Sequence, residues 1–138
     1  MKKIVLSSVY LVSASVLLLL SCSKQKDTDP GLAGNWEWVS TNGGIANHIH
    51  ETPASTGKNV QLNITADNKY SVYTNGALTS QGTLSFTGQA CIHDHTNKKV
   101  IVFSNPADQA MMIERIDNSF LELSDNAYDG VGSVYKRK

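Results

Sequence analysis

Residues 32–138 are predicted to form an all-β domain, a small antiparallel up-and-down barrel of eight or nine short strands, with a β-sandwich as the alternative. Two patterns predict this. Apolar and polar residues alternate with a period of two, and turn dipeptides interrupt the alternation at short, even intervals. In addition, no convincing helical period occurs after residue 31.

The first strand is expected over 36–40, followed by a long connection over 41–57. Val60, Leu62 and Ile64 then alternate with Gln61, Asn63 and Thr65, giving one apolar and one wet face. Asp67-Asn68 turns the chain into a strand carrying Tyr70, Val72 and Thr74. Asn75-Gly76 is a strong hairpin signal, because both central positions of a type I′ turn need positive φ. The strand that follows carries Leu78, Thr83, Leu84 and Phe86. Gly88 is expected to break it, with a further strand over 89–93. The β-branched run 99–103 ends at Asn105-Pro106. Met111, Met112 and Ile113 read as part of a strand over 110–116, bounded by Pro106 and the Asp117-Asn118 turn. Phe120, Leu121 and Leu123 mark the next strand, and Asp129-Gly130 leads into the last, 131–137.

The chain opens with Met1-Lys2-Lys3 and an apolar run to Leu20, the layout of a signal peptide over residues 1–21. Leu19-Leu20-Ser21-Cys22 resembles the lipobox of bacterial lipoproteins. That resemblance implies a thioether-linked diacylglyceryl group on Cys22 and a further acyl chain, palmitate or similar, on its freed amine. The apolar run is only about as long as the ~20 residues a membrane span requires, and it stops abruptly at the cysteine. At ~0.8 kcal/mol per buried methylene, several acyl chains hold a protein to a membrane without a spanning helix. Ser23 resembles the residue found after the cysteine in outer-membrane lipoproteins of Gram-negative bacteria. This implies an envelope location, on the periplasmic face or the cell surface. Residues 22–31 read as the lipidated cysteine and a polar tether ending in Asp29-Pro30-Gly31.

Removal of the signal peptide takes Lys2 and Lys3 with it, leaving ten basic against twelve acidic side chains, a net charge of −2. No basic stripe is present, which argues against nucleic acid as a partner. With Cys22 lipidated, Cys91 is the only other thiol, so no intramolecular disulfide is expected and residues 32–138 must hold together as one domain through their core.

Leu32-Ala33-Gly34-Asn35-Trp36 opens the first strand, and Gly-x-Trp at that place resembles the opening motif of lipocalins and the wider calycin group. In that family the tryptophan plugs the closed end of the barrel and a late basic residue packs across its ring. The resemblance therefore implies a lipocalin-like barrel over 32–138, closed by Gly34, Trp36 and Arg137, with residues 41–57 as the family's long first loop. The interior of an eight-strand barrel is just wide enough to be filled by side chains or to hold one small ligand. Trp38, Leu62, Ile64 and Phe86 are the candidate pocket residues.

The four histidines form two pairs of equal spacing, His48-Ile49-His50 and His93-Asp94-His95. In a strand, Cys91, His93 and His95 would share a face and offer ligands suited to zinc or copper. If the strand count is right, both pairs lie at the open end and converge. Exposed loop histidines and a buried structural cysteine are the plainer alternative. No Gly-x-Ser-x-Gly turn, phosphate loop or carboxylate pair is present, so no catalytic residue and no other cofactor is assigned. The expected function is a non-enzymatic, membrane-anchored binding protein whose ligand is a small apolar molecule or an envelope protein. A metal-binding lipoprotein, or an accessory subunit of an envelope complex, is the alternative.

Overall fold

Asn75 and Gly76 both adopt positive φ, 51° and 82°, and join two strands by the two-residue turn that suits strand twist. Asn68 at φ 61° completes the longer, four-residue turn before it, where Thr65 N donates to Lys69 O. Asp117 shapes a third turn by accepting from the amides of Ser119 and Phe120, both at 2.7 Å. These local devices repeat along a computed structural model that describes residues 31–138. The expected signal peptide, Cys22 and the expected tether up to residue 30 lie outside the described residues.

Nine strands follow in order: β1 Gly34–Gly43, β2 Ile49–Glu51, β3 Val60–Ile64, β4 Lys69–Thr74, β5 Ala77–Ala90, β6 Asn97–Phe103, β7 Met111–Ile116, β8 Phe120–Ser124 and β9 Val131–Arg137. A 3₁₀ turn, Ile45–Asn47, and one helical turn, α1 Pro53–Thr56, occupy the connection around β2. β1 and β3 to β9 form a closed eight-strand antiparallel barrel, and β2 is an extra strand on β1. Closure comes from β1 pairing with β9, from Trp36↔Arg137 to Gly43↔Val131, and it excludes the open edges of a sandwich.

Three expectations about elements are corrected. Gly88 does not break a strand: it stays in register with Lys99, and β5 runs unbroken through it to Ala90. The strand expected over 89–93 does not exist, because residues 91–96 form the β5–β6 turn, with His95 at φ 59°. The long connection over 41–57 is also shorter than expected, since β1 continues to Gly43 and pairs there with both β2 and β9.

The inner core gathers Trp36, Leu62, Ile64, Tyr70, Leu84, Ile101, Leu121 and Leu123 around Leu32. Ile101 and Met111 are paired and pack on this core, whereas their neighbours Val100 and Met112 pack with Cys91 in a separate cluster. Successive strand residues face opposite sides, so that second cluster lies on the outer wall. The 91–96 turn covers it, tied down by Ile92 N to Asn126 Oδ1 at 3.0 Å and Asn126 Nδ2 to Ala90 O at 3.0 Å.

Candidate ligand-binding site

Consecutive antiparallel strands place their connections alternately at two poles. One pole receives 65–68 and 117–119, together with the start of β1 and the end of β9; the other receives 44–59, 75–76, 104–110 and 125–130, while the 91–96 turn folds along the outer wall to meet Asn126 and Tyr128. The poles are built differently.

At the first pole, Trp36 is 1% exposed and its Nε1 donates to Leu32 O at 2.8 Å. The Arg137 guanidinium lies 4.0 Å from the centre of the Trp36 ring, a cation–π stack. Its donors are used as well: Nη1 to Ala33 O at 2.8 Å, Nε to Asn118 O at 3.1 Å, and Nη2 to Gly31 O. Gly34 makes this approach possible. A Cβ there would sit 2.4 Å from Arg137 Nη1, and the residue holds φ at +154°. The structure thus brings Gly34, Trp36 and Arg137 into one filled, hydrogen-bonded plug.

At the second pole the barrel is not filled. A hollow of about 240 Å³ is walled by Leu62, Val72, Phe103, Met111, Leu123 and Tyr135. Ala107, Asp108 and Gln109 of the β6–β7 connection form its edge. A neighbouring hollow of about 210 Å³, lined by Trp38, Thr41, Glu51, Lys58 and Val60, shares Tyr135 as its wall. Trp38 Nε1 is satisfied by Thr41 Oγ1 at 2.9 Å, and Thr41 Oγ1 in turn meets Ser133 Oγ at 2.7 Å. Burial raises the Tyr135 phenol above its ordinary range, and no hydrogen bond or neighbouring charge contributes to the shift.

Asp108 fixes the connection across the mouth. Its Oδ2 accepts from the hydroxyls of both Tyr70 and Ser80, and Asn105 Nδ2 donates to Ser80 Oγ at 2.9 Å. Burial, reinforced by the Asp108 carboxylate, pushes the Tyr70 phenol up, so Tyr70 stays a donor. Thr83 N to Ser104 Oγ, at 2.9 Å, pins the start of the same connection to β5.

Of the four pocket residues expected from sequence, Leu62 lines the larger hollow and Trp38 the smaller. Ile64 and Phe86 do not line either, which corrects that expectation. Ile64 pairs with Gly34 beside the plug and is 3% exposed, and Phe86 packs on the core with Lys99 Nζ 4.5 Å from its ring centre. Val72, Phe103, Met111, Tyr135 and Asp108 were not singled out by sequence. The alternation of β4, β6, β7 and β9 marks the inward residues, but nothing in it separates those that fill the barrel from those that border a void.

The candidate metal ligands are dispersed. His48 Nδ1 bonds Ile45 O at 2.7 Å, and His50 Nδ1 bonds Asn42 Oδ1 at 3.1 Å. Cys91 is buried in the outer-wall cluster, while His93 stands edge-on to Tyr128. The shared strand face expected for Cys91, His93 and His95 is corrected, because these residues turn. The two histidine pairs have separate partners, His48 and His50 with Ile45 and Asn42, and the 91–96 turn with Asn126 and Tyr128 on the outer wall. Among the described residues, no three His, Cys, Asp or Glu side chains are placed to hold a metal ion. The hollow of about 340 Å³ beside this turn is charged: Lys98 Nζ lies 2.5 Å from Glu114 and 3.4 Å from Asp94, and Asp125 accepts from Val131 N at 3.0 Å.

No family model, curated protein or solved structure matches the chain.

Proposed function

We propose that the chain is a lipid-anchored envelope protein whose barrel carries a small, mainly apolar ligand in its open pole. The hollow walled by Leu62, Val72, Phe103, Met111 and Leu123 carries this reading. Its volume exceeds the ~150 Å³ that accommodates benzene in an engineered apolar cavity and falls short of the ~300–1,000 Å³ of drug-sized sites. A single ring or a short branched chain fits that interval. The anchor rests on the basic start, the apolar run and the Leu19-Leu20-Ser21-Cys22 motif, and Ser23 supports the outer membrane as its destination. A second reading, an envelope protein docked at the same pole, is favoured by Ile45 and Leu78, which are 69% and 48% exposed on and beside its connections.

Native mass spectrometry of residues 23–138, purified without affinity tag or added metal, tests the ligand. An additional mass that disappears on denaturation is the expected result. A bare chain that stays bare with a panel of single-ring and short-chain compounds would transfer the assignment to the protein-docking reading. For the anchor, Cys22→Ser is expected to move the full chain out of the membrane fraction and to abolish metabolic labelling with an alkynyl fatty acid. Unchanged labelling would remove the lipid attachment.

A further inference from the structure

Inside the open pole the walls are apolar, and almost every polar side chain near them has a partner. Trp38 and Thr41 bond each other, Thr41 reaches Ser133, and the Asp108 carboxylate accepts from Tyr70 and Ser80. Tyr135 is different. It faces inward from β9, stands between Trp38 on β1 and Leu121 on β8, and borders both hollows. Among the described residues its hydroxyl makes no hydrogen bond, and burial of the ring raises the phenol above its ordinary range. Tyr135 is half-buried, so its hydroxyl faces the hollows without a protein partner and is left to meet water or a ligand.

Resting on the ligand reading above, we propose that Tyr135 selects the ligand: its hydroxyl donates to a single hydrogen-bond acceptor on an otherwise apolar, uncharged molecule such as a ketone, aldehyde or ester. The donor role follows from the protonated phenol that an apolar site enforces. Asp108 argues against an anionic ligand, because its carboxylate sits at the edge of the same hollow with its hydroxyl donors already engaged. A ligand carboxylate would be desolvated beside that charge with no cation lining the hollow. The ring or branched body lies against Leu62, Phe103 and Leu123, and its acceptor points towards β9.

Two nearly isosteric probes separate the hydrogen bond from the cavity: acetophenone, which carries a carbonyl, and α-methylstyrene, which has a methylene in its place. Residues 23–138, which include the whole closed barrel, and the Tyr135→Phe variant would each be titrated with both probes by amide NMR. The variant keeps the ring, and its spectrum reports whether the fold is retained. The ketone is expected to bind the unmodified protein about tenfold more tightly than the hydrocarbon, the worth of one ordinary hydrogen bond. In Tyr135→Phe that preference should vanish through weaker ketone binding, with hydrocarbon affinity unchanged. Equal affinities in the unmodified protein, or a preference surviving in Tyr135→Phe, would overturn the role of Tyr135 while leaving the cavity reading intact. Binding of neither probe at millimolar concentration would overturn both.

Discussion

The two poles of the barrel are made from the same strands and differ in how completely they are filled. At the Trp36 pole the indole nitrogen and each of the three guanidinium nitrogens donate to a backbone carbonyl, and Gly34 gives up a side chain so that the two can stack. At the Tyr135 pole the side chains stop short of one another and one hydroxyl is left over. Close packing at one end frees the other from the task of holding the sheet shut. On the proposed ligand reading, stability and recognition are thereby separated along the barrel axis.

That separation can be broken deliberately. The largest effect is expected from Trp36→Ala, which empties the plug and should lower unfolding free energy in urea by about 3–5 kcal/mol. Acetophenone affinity in the molecules that remain folded should hardly change, and a parallel loss of affinity would show that the poles are not independent. Gly34→Ala comes next, at about 1–3 kcal/mol, because the new methyl collides with Arg137 Nη1. Combining it with Arg137→Ala should recover part of that loss, and strict additivity would deny that the collision is the cause. At the other pole, Asp108→Asn keeps an acceptor for Tyr70 and Ser80 but removes its charge. The expected cost is about 1 kcal/mol globally. Hydrogen exchange should quicken in residues 104–110 and leave the β1–β9 seam unaltered.

The smallest effect concerns pH. Asp67 is held at about 2 by Lys69, whose Nζ is 2.8 Å away, and by the Thr65 hydroxyl. Its depressed value means that its contribution is complete above the ordinary carboxylate pKa and disappears as pH falls through about 2. Both partners are exposed, so the change in stability should be slight and should shrink further in salt. Carboxyl-carbon NMR should place the Asp67 midpoint near 2, and a midpoint near 3.8 would mean that the turn is not closed in solution.

Most of the barrel was legible because alternation and turn chemistry act over a few residues. Asn75-Gly76, Asn68 and Asp117 each set a turn with their own backbone or side chain, and the strands between them follow. The misreadings arose where distant partners decide. Gly88 reads as a breaker, yet its register with Lys99 keeps β5 continuous. Ile49–Glu51 is too short to show a period and exists as β2 only because β1 extends far enough to pair with it. The site was less legible than the fold. A tyrosine whose hydroxyl lacks a partner looks, in sequence, the same as one that has found it, and Asn105-Pro106 signals the end of a strand without telling that Asp108 will fold back over the mouth.

Arg137 has one more consequence, a mechanical one. It grips the carbonyls of Gly31 and Ala33, while Lys138 N holds Asn35 O at 2.9 Å, so both ends of the described chain leave the barrel at a single pole. Tension arriving through the residues before Gly31 is carried into the Arg137 contacts and the adjoining β1–β9 seam before it reaches anything else. The open pole stands on the far side of that load path. Traction applied through the residues before Gly31 therefore strains the plug while the hollow keeps its shape, and a reporter fused after Lys138 would sit at the plug pole, clear of the mouth.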